Sequence, residues 1–253
     1  MGKIFAIANQ KGGVGKTTTA VNLSACVAAL GKKVLVVDID PQGNTTGGLG
    51  VYAENMENTI YDVLVNGMEA KDAVTEVSHF SMHILGSDIS LAGAEIELVG
   101  AQNREFLLKN ALDSIRDAYD YIFIDCPPSL GLITLNGLAA ADAVVVPVQC
   151  EYYALEGIAQ LTKTVNMVQK ALNPELEIEG VVMTMFDGRT NLSLQVVEEV
   201  KKYFGKKVYR TLIPRNVRLS EAPSFGEPII VFDRTATGAV AYENLAKEFL
   251  KRN

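Results

Sequence analysis

Residues 11–18 read KGGVGKTT and constrain the fold more than any other segment of the chain. They follow the apolar run IFAIA and lead into residues 17–30, an apolar stretch typical of a helix. A glycine-rich turn between a strand and a helix lets backbone N–H groups surround a phosphate, and the helix N-terminus adds partial positive charge. The segment therefore predicts a phosphate-binding loop. Its candidate nucleotide contacts are Lys11, Gly12, Gly13, Val14, Gly15, Lys16, Thr17 and Thr18.

Two side chains of this loop predict the ligands ATP and Mg²⁺. Lys16 can reach the β- and γ-phosphates, and the Thr17 hydroxyl can bind Mg²⁺. The loop departs from the usual GxxxxGK[ST] pattern, because its first glycine would fall where the chain has Gln10. Lys11 opens the loop instead.

Two later segments place carboxylates at the ends of predicted strands. Residues 35–43 read LVVDIDPQG, in which Asp38 and Asp40 occupy alternate positions and would point the same way on a strand. Residues 121–128 read YIFIDCPP, an apolar strand that ends in Asp125, as in a Walker B element. We expect Asp125 to hold Mg²⁺, usually through water, since this ion keeps much of its hydration.

Apolar strand-like runs alternate with helical patterns along the chain. Because the runs are continuously apolar, we expect strands buried on both faces. The pattern predicts one α/β domain over residues 1–253, a doubly wound, mostly parallel sheet with helices on both faces. Residues 43–50, rich in Gly, Thr and Asn, are expected to form a mobile loop near the site. The predicted strands are residues 4–8, 34–38, 83–85, 121–125, 143–148, 180–184, 208–213 and 229–231, and the predicted helices are residues 17–30, 103–118, 155–172, 192–204 and 238–251.

Composition narrows the class of protein. Hydrophobic residues make up 48% of the chain, which indicates a packed fold. No apolar run approaches the roughly 20 residues of a membrane span, and the N-terminus lacks a signal-peptide pattern. The three cysteines are too widely spaced for a disulfide framework or a zinc site. We expect a cytoplasmic protein with reduced thiols.

The charge is unevenly distributed. The net charge is −7, yet residues 189–219 hold eight basic and two acidic residues, which makes that segment +6 and the remainder −13. A local basic patch can bind DNA in an acidic protein, because charges farther than about one Debye length are largely screened. Arg189, in a turn entering a helix, and Arg215 and Arg218, beside a predicted strand end, are the candidate DNA contacts.

Over essentially its whole length the chain resembles the ParA/Soj partitioning ATPases of the ParA/MinD group. The resemblance rests on the loop KGGVGKTT, on DIDPQG, and on the segments CPPSLG, PVQCEYYALEG and IPRNVRLSEAP. It implies that Lys11 reaches the nucleotide of a partner subunit. It also implies that Asp40 positions or activates the attacking water, and that Asp38 contacts the metal from outside its immediate ligands. Pro214 and Asn216 would lie on the adenine side.

The resemblance further implies an ATP-dependent homodimer that binds double-stranded DNA non-specifically. A ParB-type centromere-binding protein would stimulate hydrolysis, and the ADP or apo monomer would leave the nucleoid. ATP could order the loop that carries Arg215 and Arg218 and so present them to DNA. The first strand begins by Lys3, with no helix-turn-helix before it, so site-specific autorepression is not expected.

Four alternatives stay open at this point. A MinD-like membrane-cycling ATPase would use a basic amphipathic C-terminal helix, but the C-terminal residues ENLAKEFLKRN are more typical of a packing helix, and we expect no membrane partner. A reductase resembling the nitrogenase iron protein would bridge its dimer with a cysteine-held cluster. A small ATP-dependent synthetase would need a substrate pocket. A passive scaffold would bind nucleotide without turnover.

Overall fold

The structure is a computed structural model and describes residues 2–253. Within those residues a seven-stranded sheet has the order β3-β4-β2-β5-β1-β6-β7. Its pairs are parallel except for β3 with β4, so the predicted fold class is confirmed. The strands are β1 (Lys3–Ile7), β2 (Val34–Asp38), β3 (Val74–Glu76), β4 (Met82–Leu85), β5 (Tyr121–Asp125), β6 (Ala143–Gln149) and β7 (Glu177–Thr184).

Helices connect the strands and cover both faces of the sheet. They are α1 (Lys16–Ala29), α2 (Asn44–Gly48), α3 (Ile60–Leu64), α4 (Ala70–Ala73), α5 (Leu91–Glu97), α6 (Leu107–Asp113), α7 (Leu132–Ala140), α8 (Ala154–Ala171), α9 (Asn191–Phe204), α10 (Val217–Glu221), α11 (Ile229–Phe232) and α12 (Thr237–Arg252). Short 3₁₀ helices occupy Ala53–Asn55, Leu98–Gly100, Arg104–Phe106, Arg116–Ala118, Gly205–Lys207 and Ala222–Phe225. None of the helices in this described part is long and apolar enough to cross a bilayer.

The core has two halves, one on each side of the sheet. In β1, Ile4 and Ala6 contribute to one half, while Phe5 and Ile7 contribute to the other. Successive side chains of a strand point to opposite faces, which explains why these strands are continuously apolar. On the side of α1 and α12, Phe5 meets Phe249 edge-to-face with ring centroids 4.9 Å apart. The two packed faces hold the central strands rigidly and fix where those strands end.

The carboxyl ends of the central parallel strands meet at one edge of the sheet. Ile7 at the end of β1 and Asp38 at the end of β2 both pair in register with Asp125 at the end of β5. The loop after β1 therefore lies beside both carboxylates, although the three segments are far apart in the sequence.

Two predicted strands are wrong. Residues 208–213 form no strand. Val208 makes an isolated bridge to Val181 of β7, and Pro214 makes one to Phe186, two residues after the end of β7. Between these bridges, the N–H groups of Arg210 and Thr211 donate to the Glu248 carboxylate. Residues 229–231 belong to helix α11, whose first N–H, that of Ile229, donates to the Asn22 side chain at 2.7 Å. Short apolar runs do not distinguish a strand from a buried helical turn.

Two further predictions need correction. The helix predicted over residues 103–118 is broken into α6 and two flanking 3₁₀ helices. The mobile loop predicted at residues 43–50 contains α2, whose N-cap Gly43 is left-handed with φ 61°. In α2 the hydroxyls of Thr45 and Thr46 donate to the buried carboxylates of Asp125 and Asp38. These contacts with distant residues stabilise a helix in a segment whose composition predicted a loop.

Candidate active site

The loop between β1 and α1 has the backbone of a phosphate cradle. Gly13 and Gly15 have φ values of 73° and 87°, a left-handed region that favours glycine. The Thr184 hydroxyl at the end of β7 donates to the Val14 carbonyl at 2.8 Å and so ties the loop to the sheet. Helix α1 begins at Lys16, so its free N–H groups and positive dipole end face the loop.

Lys16 lies over the loop and is only 7% exposed. Its Nζ donates to the Lys11 carbonyl at 3.2 Å. Burial lowers the pKa of Lys16, while the nearby carboxylate of Asp125 acts in the opposite direction. A lysine held in this way can place its charge on a phosphate oxygen at small entropic cost.

Asp125 lies buried beneath the loop. Its Oδ2 accepts hydrogen bonds from Thr17 Oγ1 at 2.8 Å and from Thr45 Oγ1 at 2.7 Å. Its Oδ1 is buried and has no hydrogen-bond partner among residues 2–253. Burial, with a contribution from Asp38, raises the pKa of Asp125 to about 7. Buried polar atoms are normally paired, so this oxygen indicates a place for an ion or its water.

The donor set around this oxygen fits Mg²⁺. The ion prefers oxygen ligands and keeps several waters, and Thr17 and Asp125 supply a hydroxyl and a carboxylate in direct contact with each other. These residues could hold the ion at the phosphate end of the site.

Asp38 is also fully buried, but protein donors take up its oxygens. Oδ1 accepts from the Asp40 N–H at 3.1 Å, and Oδ2 accepts from the N–H and the hydroxyl of Thr46 at 2.9 and 2.7 Å. Burial raises the pKa of Asp38 to about 6 despite these bonds. The carboxylate therefore positions Asp40 and α2, and it lies beside the metal candidates at the end of the neighbouring strand.

An open cavity of about 370 Å³ lies over the loop. It is lined by Gly12, Gly13, Lys16, Thr17 and Asp40, among others. Asp40 Oδ1 accepts the Gln42 N–H at 3.0 Å, which orients the carboxylate at the cavity wall. The cavity brings together the predicted phosphate contacts and the residue predicted to position water.

A second cavity of about 240 Å³ shares Gly15, Thr18 and Met185 with the first. Pro214 and Asn216 line it, as does the buried Tyr242. Asn216 also caps α10, because its side chain accepts the Leu219 N–H at 3.3 Å. The two adjoining cavities suit the two ends of one nucleotide, with the phosphates over the loop and the base beside Pro214.

Lys11 points away from the centre of the loop. Its Nζ forms an ion pair with Glu151 and lies 5.7 Å from the ring centroid of Tyr153, which is itself 60% exposed. Glu151 stands 140 residues away in the chain. Lys11 thus lies at the rim of the site, beside the exposed rings of Tyr152 and Tyr153.

Of the three candidate DNA contacts, Arg189 and Arg215 lie beyond the carboxyl end of β7, and Arg218 lies in the first turn of α10. Arg189 is 89% exposed and forms two hydrogen bonds to Asp187, at 2.9 and 2.7 Å. Arg218 forms ion pairs with Glu221 at 2.9 Å and Asp233 at 3.3 Å and lies against the Phe232 ring. Arg215 is exposed beside the bridge between Phe186 and Pro214.

Sequence reasoning missed four polar residues of the site: Thr45, Thr46, Glu151 and Thr184. The two threonines lie in the segment predicted to be a loop, and their position two and three residues after DIDPQG was the available indication. Glu151 lies in PVQCEYYALEG, a segment that carries the family resemblance, but no pattern indicated its contact with Lys11. Nothing local marked Thr184, whose partner Val14 is 170 residues away.

A family model described as an AAA domain matches residues 2–178. The sporulation initiation inhibitor protein Soj of Bacillus subtilis is 60% identical over 248 residues, covering 98% of each protein. The chromosome partitioning protein ParA of Myxococcus xanthus is 52% identical over 253 residues, covering 100% of this chain and 89% of that protein. The chain belongs to the ParA/Soj family of chromosome-partitioning ATPases.

Two solved structures that are similar to this chain in sequence also share its fold. A Mycobacterium smegmatis protein described as cobyrinic acid a,c-diamide synthase, with bound ADP and magnesium, has a TM-score of 0.86 at 37% identity, covering 99% of this chain and 95% of that chain. A plasmid partition protein from Borrelia burgdorferi bound to AMPPNP has a TM-score of 0.85 at 26% identity, with both chains fully covered. This ParA/Soj member is a P-loop ATPase that uses ATP and Mg²⁺.

Proposed function

We propose that this chain is an ATP-driven DNA-partitioning switch that acts as one domain over residues 1–253. The ATP-bound form dimerises and binds duplex DNA without sequence preference. A ParB-type partner stimulates hydrolysis, and the released monomer leaves the nucleoid. The observation that carries the proposal is the cavity that joins Lys16, Thr17 and Asp40 above the unpartnered buried oxygen of Asp125.

Each residue of the cavity has a part in hydrolysis. The loop N–H groups and Lys16 bind the phosphates, and Thr17 and Asp125 would hold Mg²⁺, whose charge would neutralise that of the phosphate oxygens. Asp40 orients the attacking water toward the γ-phosphate. Asp38 keeps Asp40 in place through the hydrogen bond from the Asp40 N–H. Pro214 and Asn216 contact the adenine end of the site.

Lys11 acts on the nucleotide of the partner subunit. Its position at the rim, beside the exposed Tyr153, supports a role across an interface. On dimerisation Lys11 would exchange Glu151 for the partner's phosphates, where a cation stabilises the charge that develops during phosphoryl transfer.

Arg189, Arg215 and Arg218 bind DNA phosphates. Arg189 and Arg218 now pair with carboxylates, but exposed ion pairs contribute only about 0–1 kcal/mol, so exchange for a phosphate costs little. Phosphate contacts give affinity without sequence information. Two patches brought together in a dimer bind one duplex with avidity.

Two observations favour DNA partitioning over the alternatives. The apolar face of α12 is buried in the core, including Tyr242, Leu245 and Phe249, each fully covered, and is therefore not free to insert in a membrane. The relatives named for chromosome partitioning or Soj are 52% and 60% identical, whereas the structure described as a synthase is 37% identical.

The deciding experiment measures binding to random-sequence duplex DNA with Mg-ATP, with Mg-ADP and without nucleotide, over a salt series. We expect sequence-independent, salt-sensitive binding only with ATP, and weaker binding with a flatter salt dependence for Arg189→Ala. Lys32→Ala, on the α1–β2 turn, is the control. Binding in no nucleotide state would overturn the DNA role, and vesicle binding would then be measured.

The partner is tested by turnover. ATP hydrolysis is measured with DNA alone and with DNA plus a ParB-type protein on its own binding site. Stimulation that requires the ParB-type protein supports the proposed cycle. A rate that the protein leaves unchanged would contradict the proposed partner while leaving the ATPase intact.

A further inference from the structure

An open cleft of about 860 Å³ lies between the C-terminal ends of α9 and α12, away from the nucleotide cavities. Its cations are Lys201, Lys206, Arg210, Lys247, Lys251 and Arg252, and its one carboxylate is Glu248. We refer to it as the basic cleft. The chain as a whole has a net charge of −7, so a cleft lined by six cations and one carboxylate departs strongly from its average charge.

Structural roles account for only one of the six cations. Arg252 donates to the carbonyls of Lys207 and Val208, pairs with Glu248 and lies 3.9 Å from the Tyr209 ring centroid. Glu248 in turn accepts the N–H groups of Arg210 and Thr211. The cleft's carboxylate is therefore already engaged and forms no ion pair with the other cations.

The remaining five cations are exposed and form no ion pair with any carboxylate among residues 2–253. They come from three elements: Lys201 from α9, Lys206 and Arg210 from the segment that follows, and Lys247 and Lys251 from α12. Like charges brought together from separate elements repel one another, so this arrangement is one that a bound polyanion would stabilise.

The cleft continues the line of the proposed DNA contacts. The segment after α9 runs along the outer edge of β7, from the bridge of Val208 with Val181 to the bridge of Pro214 with Phe186. Five residues of a strand span about 16 Å, which matches about five base pairs of duplex at 3.4 Å each. One duplex could therefore contact Arg215 at one end of this edge and the basic cleft at the other.

We propose that the basic cleft is a second phosphate-binding site for duplex DNA, which extends the surface of Arg189, Arg215 and Arg218 along β7. This inference rests on the proposed DNA-binding function. Nucleic acid is favoured over an anionic membrane because α12 buries its apolar face in the core, while its exposed lysines line the cleft. Membrane-surface helices need that apolar face free.

The test compares Lys247→Gln/Lys251→Gln with the matched control Lys32→Gln/Lys33→Gln, which removes two charges beside β2. β2 lies four strands from β7, roughly 19 Å across the sheet. Binding of each full-length variant to random-sequence duplex is measured with Mg-ATP over a salt series, and circular dichroism melting curves establish that each is folded.

We expect the cleft variant to bind several-fold more weakly at low salt. Its plot of log affinity against log salt should flatten by about 0.9 for each DNA phosphate that the variant no longer neutralises, while the control keeps the wild-type slope. An unchanged slope in the cleft variant, or an equal change in the control, would overturn the cleft site. Loss of binding to phosphatidylglycerol vesicles with DNA binding unchanged would also overturn it.

The cleft site and the proposed function fail in different ways. If the wild-type chain does not bind DNA with ATP, the DNA-partitioning function falls and the cleft site falls with it. If the wild type binds and Arg189→Ala weakens binding but the cleft variant does not, only the cleft site is excluded.

Discussion

At the scale of single residues, the adjacent threonines of α2 each hold one of the two buried carboxylates. Thr45 donates to Asp125 and Thr46 to Asp38. In Thr45→Val, Asp125 keeps the hydrogen bond from Thr17 but loses the second. Loss of a buried hydrogen bond to a charged group costs about 1–3 kcal/mol. We expect a lower melting temperature and a higher Mg²⁺ concentration for half-maximal ATP turnover.

Thr45→Ser is the control for this prediction, because it keeps the hydroxyl and removes only a methyl group. It should retain most of the wild-type Mg²⁺ dependence. If the valine and serine variants show the same Mg²⁺ titration and the same melting temperature, the hydroxyl contact does not position Asp125.

Buried Asp125 predicts a pH dependence of stability in the metal-free protein. Burial raises its pKa from the ordinary 3.8 to about 7, so the folded state binds a proton more tightly than the unfolded state. Its contribution is therefore fully present below about pH 4 and is lost as the pH rises through about 7. Asp125→Asn should be more stable than wild type at pH 8, by on the order of 1–3 kcal/mol, and the difference should shrink toward pH 5.

Denaturant unfolding in EDTA at pH 5, 6, 7 and 8 measures this difference. The control is Asp113→Asn, in an exposed ion pair with Lys109, for which we expect no such trend. A gap between Asp125→Asn and wild type that is constant over this range would show that Asp125 is ionised throughout.

At the scale of elements, α2 depends on the left-handed residue that precedes it. Gly43 has φ 61°, and a Cβ there would lie 2.8 Å from the Ser87 carbonyl oxygen. Gly43→Ala should therefore destabilise the fold by more than about 1 kcal/mol and reduce turnover, because α2 carries both threonines. Gly47→Ala, in the same helix, meets nothing within 4 Å and should be neutral or slightly stabilising.

Denaturant unfolding and ATP turnover of the two alanine variants decide this point. Equal stability of both variants would mean that the turn into α2 has room to relax, and that the helix does not depend on the geometry at Gly43.

At the scale of the whole molecule, the role of Lys11 predicts that two inactive variants restore each other. Lys11→Ala and Asp40→Ala should each lose turnover. In a mixed dimer, the site of the Lys11→Ala subunit keeps its own Asp40 and receives Lys11 from the partner. Mixing equal amounts before ATP is added should recover about a quarter of wild-type activity, because half of the dimers are mixed and each has one complete site.

If Lys11 acts within its own subunit, no site in a mixed dimer is complete and no activity returns. Sedimentation velocity with a slowly hydrolysed ATP analogue establishes whether mixed dimers form. Mixed dimers without activity would contradict the role of Lys11 across the interface.

The loop at residues 11–18, the strand ends at Asp38 and Asp125, and the doubly wound sheet were all predictable from the amino-acid sequence. These features follow from local patterns: glycines where a turn needs them, and continuous apolar runs where a strand is buried on both faces. Their order along the chain was enough to bring the loop and the carboxylates to one edge, because parallel strands end on the same side.

The contacts between distant segments could not be predicted from the sequence, because they depend on how the elements pack. Glu248 accepts the N–H groups of Arg210 and Thr211, in a segment predicted to be a strand, and Thr45 donates to Asp125 although 80 residues separate them. The basic cleft likewise combines α9 with α12. Local composition cannot encode such pairs, since a side chain's partner is fixed by how the helices pack on the sheet and not by its neighbours in sequence.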